Sequence, residues 1–185
     1  LPVTDADGSL VGIVTTTDLS HYIPHIVRVG REQEPEANRE RRSLRADTAY
    51  ERDEWDYEYR GDESSIEIGD TSRFTKTLSA ADVESFAEIT GDTNRLHLDG
   101  EYAGRTRFGE RIAHGTLVAG LISAALARLP GLVIYLSQDL TFLGPVPLET
   151  RVTASCEVVE QVSENQYRLT TKVERPDGKT VIDGE

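Results

Sequence analysis

At 185 residues, 37% of them hydrophobic, the chain has room for one full domain and an appendage. Its 33 Asp and Glu against 20 Lys and Arg leave a net charge of −13, which repels nucleic-acid phosphates and anionic lipid and sets both aside as partners. A single cysteine excludes an intrachain disulfide framework and a Cys-based metal cluster, and no run is apolar enough for a membrane span or a signal peptide. A reducing, cytoplasmic setting is the expectation, and the acidity suits a cytoplasm of high salt. With no Met and a start at Leu1, the chain reads as a fragment cut at its beginning and, from its last strand, at its end.

Residues 1–14 read as strand, Asp-Gly turn, strand, and Thr15 to Asp18 then cap a helix reaching about Val27. The run G-I-V-T-T-T-D-L from Gly12 resembles the closing half of a CBS module, a nucleotide-sensing repeat. That resemblance implies a truncated β-β-α fragment over residues 1–27, with Thr15 and Asp18 as weak candidates for holding an adenine nucleotide. Only half a module is present, and capping is the commoner task of such residues. His21 and His25 have no third ligand nearby and read as surface histidines.

Residues 28–69 form a charged connector. Through Asp70 it carries 8 Arg and 14 acidic residues in 43 positions, which cannot bury a core of their own. A solvated helix or flexible linker is expected, with Trp55, Tyr57 and Tyr59 docking locally.

From residue 70 the pattern becomes that of a folded domain. A first strand over 74–78 leads into a capping box at Ser79 and Asp82, which starts a helix. Val83, Phe86, Ala87 and Ile89 supply its buried face, and Gly91 ends it. A loop carries Asp92 to Gly109. A second helix, 116–129, is apolar nearly all round and should be wrapped by other structure. Strands are expected over 132–142, 151–161, 166–175 and 179–183, with turns at Asn165 and Pro176 to Gly178. One buried helix followed by long antiparallel strands suggests a sheet curled around a helix. Cys156 falls in a strand and reads as a small core residue.

The chemistry concentrates in F-A-E-I-T-G-D-T-N-R-L-H-L-D-G-E-Y-A, from Phe86 to Ala103. Residues five apart on a helix point about 140° from each other, so Asp92 and His97 meet only if the chain bends between them. Gly91, Thr93 and Asn94 are the residues to bend it. The same types also make plain Asx turns, and a lone histidine is more often structural than catalytic.

This stretch resembles the signature of the MaoC-like dehydratases, the family that includes the (R)-specific enoyl-CoA hydratases. The likeness continues through Phe108-Gly109, Ile112, His114-Gly115, the run Y-L-S-Q-D-L-T-F from Tyr135, and Pro145-Val146. Arg95 stands where the family commonly has proline. The resemblance implies an α+β hot-dog fold over residues 70–185, a long helix wrapped by an antiparallel sheet, paired as a homodimer. It implies reversible hydration of a trans-2-enoyl-CoA to the (R)-3-hydroxyacyl-CoA, with no metal or redox cofactor and the coenzyme A thioester as substrate. Asp92 and His97 would hold the water and manage its protons, in an order left open, with Asn94 tying the loop or bonding the site. The N–H of Gly115 would stabilise the thioester oxygen at a helix start. His114, on the substrate side, would chiefly orient the turn into Gly115. Two alternatives stand: a hot-dog acyl-CoA thioesterase, and a nucleotide-regulated, non-catalytic acyl-CoA-binding protein.

Overall fold

The computed structural model describes residues 2–4, 10–13, 52, 54–62 and 64–185. At the N-terminus the strands β1 (Pro2–Thr4) and β2 (Leu10–Ile13) pair antiparallel, as the sequence leads one to expect. The CBS-like positions Thr15 and Asp18 lie outside the described residues.

A six-stranded antiparallel sheet forms the main unit. Its strands are β3 (Asp56–Arg60), β4 (Thr71–Leu78), β5 (Leu140–Phe142), β6 (Thr150–Ser163), β7 (Gln166–Glu174) and β8 (Thr180–Gly184), in the spatial order β3-β4-β6-β7-β8-β5. Alternation decides which side faces inward. Ser72, Phe74 and Leu78 of β4 are buried, opposite Val152, Ala154, Cys156 and Val158 of β6, and the register sets Phe74 against Ala154. Burial pushes the Cys156 thiol up to about 12, so it is an inert core group, as expected.

Four helices follow β4 in the chain: α1 (Ala80–Thr90), α2 (Arg95–Leu98), α3 (Gly100–Gly104) and α4 (Gly115–Leu126). The capping box predicted for α1 is present. Ser79 accepts from the Asp82 N–H while the Asp82 carboxylate accepts from Ser79. Gly91 closes α1 at φ 77°, a conformation open to glycine at little cost. Helix α4 lies on β4 and β7 through Val118, Leu121, Ile122, Ala125 and Leu126, each side chain worth about 1.5–3 kcal/mol when fully withdrawn from water for Val, Leu and Ile.

Four expectations are corrected. Residues 56–60 of the supposed connector form strand β3, paired with β4, and Trp55, Tyr57 and Tyr59 pack on the core. The folded unit therefore begins before Asp70. Ile89 is 83% exposed, because α1 buries only Val83 and Ala87 on the facing stripe. Helix α4 ends at Leu126 and is covered on one side only, with Thr116, Gly120, Ser123 and Ala127 exposed. Finally, the strand predicted over 132–142 shrinks to β5, which pairs with β8 for three residues. Residues 132–138 have no ladder, Asp139 exchanges backbone hydrogen bonds with Glu185, and Leu132, Tyr135 and Leu136 are exposed.

Candidate active site

The bend required between Asp92 and His97 is built from local hydrogen bonds. After Gly91, the Thr90 hydroxyl donates back to the Phe86 carbonyl at 2.7 Å and accepts from the Asp92 N–H at 3.3 Å. The Asp92 carboxylate accepts from the Asn94 N–H at 3.3 Å, and the Asn94 side-chain oxygen accepts from the Leu96 N–H at 3.0 Å. These are successive Asx-type bonds, and the second starts helix α2. Asn94 therefore ties the loop, one of the two tasks expected of it. Arg95, where the resemblance led one to look for proline, pairs with Asp99 at 2.6 Å across one helical turn and lies over the Tyr102 ring. Asp99 in turn caps α3 through the Tyr102 N–H at 2.9 Å.

Helix α2 delivers His97 inward, where it is 9% exposed. Its Nδ1 lies 2.8 Å from the Ile112 carbonyl. A carbonyl only accepts, so Nδ1 carries the hydrogen and Nε2 keeps its lone pair. Arg111 fixes the backbone of the same residue, donating from Nε to the His97 carbonyl at 2.6 Å and pairing with Glu84 of α1 at 3.4 Å. The strand-like segment behind it is pinned as well, since Ile112 bridges Pro147 and the Ala113 N–H donates to the Val146 carbonyl at 2.8 Å.

His114, the residue before α4, is 1% exposed, and its Nε2 lies 2.9 Å from the main-chain carbonyl of Asp92. By the same reasoning Nε2 is the donor. The His114 ring leans on His97, centroids 3.9 Å apart and planes tilted 35°, and on Phe86 at 4.9 Å. Its Nε2 is 4.0 Å from the Asp92 carboxylate, which is half exposed. Gly115 opens α4. Its N–H belongs to the first turn, which has no intrahelical acceptor, and the positive end of the helix dipole lies there. The Phe142 ring of β5 sits directly against Gly115.

Asp92, His97 and His114 each offer one donor atom within 4.8 Å of the others. Donor atoms around a tetrahedral zinc ion are only about 3.3 Å apart, from Zn–N distances near 2.0 Å. The two imidazoles here also pack against each other, tilted by 35°, and His114 has committed Nε2 to a backbone carbonyl. The arrangement suits a carboxylate and an imidazole sharing a water better than a chelate.

Of the predicted residues, Asp92, His97 and His114 are brought together, with Asn94 in the loop between the first two and Gly115 next to His114 in the chain, and the weak candidates Thr15 and Asp18 lie outside the described residues. Sequence reasoning missed the Arg111 latch, the Phe142 contact and the reach of His114 to Asp92. That last bond spans 22 residues, beyond any local spacing rule.

The chain matches the model of the family described as "MaoC like domain" over residues 64–181. It is 44% identical over 122 residues to a 3-hydroxybutyryl-CoA dehydratase of Methylorubrum extorquens, covering 65% of this chain and 78% of that one. It is 43% identical over 125 residues to an (R)-specific enoyl-CoA hydratase of Rhodospirillum rubrum, covering 65% and 85%. Among solved structures, an unliganded R-hydratase of Pseudomonas aeruginosa superposes with a TM-score of 0.63 at 40% identity, covering 70% of this chain and 84% of the other.

Proposed function

The chain belongs to the MaoC-like domain family, and from that premise we propose that it is a hydratase/dehydratase of coenzyme A thioesters, interconverting a trans-2-enoyl-CoA and the (R)-3-hydroxyacyl-CoA. The observation that carries the reading is the convergence of the Asp92 carboxylate with His97, whose lone pair is left on Nε2, beside the free N–H at the start of α4. A water accepted between carboxylate and imidazole bonds through its oxygen to C3 of the enoyl group. The C2–C3 electron pair shifts toward the thioester carbonyl, whose oxygen takes on negative charge. The Gly115 N–H meets that charge, reinforced by the helix dipole. The pair receives one proton from the water and returns one to C2, so it ends as it began. Nothing is oxidised or reduced, and the reaction asks for no cofactor.

A second copy of the chain completes the particle in this reading, lying over the apolar stretch 132–136 and the edge at Phe142 and Leu143. Among the described residues no helix is long and apolar enough to cross a membrane. A cytoplasmic location goes with a coenzyme A substrate and a buried, reduced Cys156.

Asp92→Asn and His97→Gln test the assignment on crotonyl-CoA. Each should lower kcat/KM by about 10²–10⁴-fold while the circular dichroism of the chain is unchanged, and the product should be the (R) alcohol. Undiminished hydration in either variant would sink the proposal. Release of free thiol from saturated acyl-CoA, with no hydration, would move the chain to the thioesterases.

A further inference from the structure

His114 occupies the N-cap position of α4, yet its side chain makes no capping bond to its own helix. It turns instead to the loop of Asp92, and its burial leaves no surface for a substrate to touch. Three elements meet on its ring: Phe86 of α1, His97 of α2 and the main chain of Asp92. Its Nδ1 is buried with no hydrogen-bond partner. A buried polar atom without a partner is unfavourable, and an apolar ring of similar size would avoid it. The bond to the Asp92 carbonyl is what a phenyl ring could not make.

We infer that His114 is a positioning residue. Its Nε2–H holds the backbone of Asp92, and its ring face holds the plane of His97, so the carboxylate and the His97 imidazole stay converged. The sequence led one to expect His114 chiefly to orient the turn into Gly115, whereas here its ring reaches back to the loop of Asp92. The positioning role rests on the hydratase reading of the Asp92–His97 pair. A misplacement of about 1 Å at such a pair can cost roughly a hundredfold in rate, and the two reactive side chains sit on either side of a bend, His97 on helix α2 and Asp92 on the loop before it. One of them, Asp92, lies in a loop held by bonds of 3.3 Å.

Two variants of the full chain separate the roles. In His114→Gln the amide nitrogen can replace Nε2–H, whereas His114→Phe keeps a ring face and loses the donor. Hydration of crotonyl-CoA by the Gln variant should stay within about tenfold of the parent kcat, with the Phe variant about a hundredfold down. KM should be unchanged in both, because His114 does not touch substrate. A rise in KM at preserved kcat, or equal losses in the two variants, overturns the inference. A measurement independent of turnover is nitrogen-15 NMR of the imidazoles in the unaltered chain. His114 should appear as the Nε2–H tautomer and His97 as Nδ1–H, and a His114 protonated at Nδ1 alone overturns the inference even if the Phe variant fails to fold. If the unaltered chain hydrates nothing, the activity reading falls, while the tautomers still decide whether His114 holds Asp92.

Discussion

A methyl group added at Gly115 would lie 2.9 Å from Cε1 and 3.0 Å from Cδ1 of Phe142. Contacts that short force a neighbour to move, and the neighbour here is a ring 54% exposed, free to swing on its own side chain. Gly115→Ala should therefore cost little stability, but it disturbs the surroundings of the N–H assigned to the thioester oxygen. We expect kcat/KM to fall by about tenfold or more. The crowding explanation makes a sharper demand. In a Phe142→Ala background the same Gly115→Ala change should cost almost nothing further, since the two sites couple only through their contact. A full penalty in that background would show that the alanine methyl, and not the displaced ring, is at fault. At this scale the sequence was informative about identities and silent about partners. Asp92, His97 and Gly115 were visible because a bend and a helix start can be read locally. Phe142 was not, because it arrives from the sheet edge and nothing near it in the chain points to a glycine far upstream.

At the scale of elements, helix α1 depends on its first turn. Asp82 accepts from the backbone and hydroxyl of Ser79 and from Lys76 at 2.7 Å. Burial alone raises the Asp82 carboxyl, but the Lys76 ammonium and the Ser79 donors outweigh it and hold the group below the ordinary 3.8. A carboxyl lowered by folding contributes stability that is fully present above its unfolded value and is lost as pH falls through the folded one. Asp82→Asn should thus lower stability by about 1 kcal/mol near pH 7. The gap from the parent should close below 3.8, where a protonated Asp resembles Asn. Urea titrations at the two pH values check this, and a gap that persists in acid would remove Lys76 and the charge from the explanation. This helix was legible because its signals, Ser79, Asp82 and Gly91, are all local. Strand β3 was hidden for the opposite reason. Its D-Y-E-Y-R alternation is a strand pattern, but it sits in a stretch so charged that composition outweighed the period of two. The pairing with β4 that stabilises it is supplied from beyond the stretch itself.

For the whole molecule the same distinction explains residues 132–139, which are rich in β-formers and read as a strand. A strand is defined by a partner edge, and this chain offers β5 only the three residues Ile182, Asp183 and Gly184 of β8. Leu132 at 71%, Leu136 at 53% and Phe142 at 54% exposure are then an apolar margin leading into the edge strand β5. A second copy is the occupant that the fold of the family leads one to expect. Light scattering should return twice the 20.5 kDa mass of the chain. Leu132→Glu with Leu136→Glu should give a folded monomer, because both side chains are already in water in the single chain and their loss removes no core contact. Charge makes the prediction more specific. Two chains of −13 repel one another at any approach, and an apolar seam must overcome that repulsion. Raising the salt from about 0.05 to about 0.5 M shortens the reach of the repulsion severalfold and leaves the apolar contact intact or stronger. The dimer should therefore tighten with salt. Dissociation on adding salt would mean that ion pairs, not the leucines of the 132–136 margin, hold the two copies together.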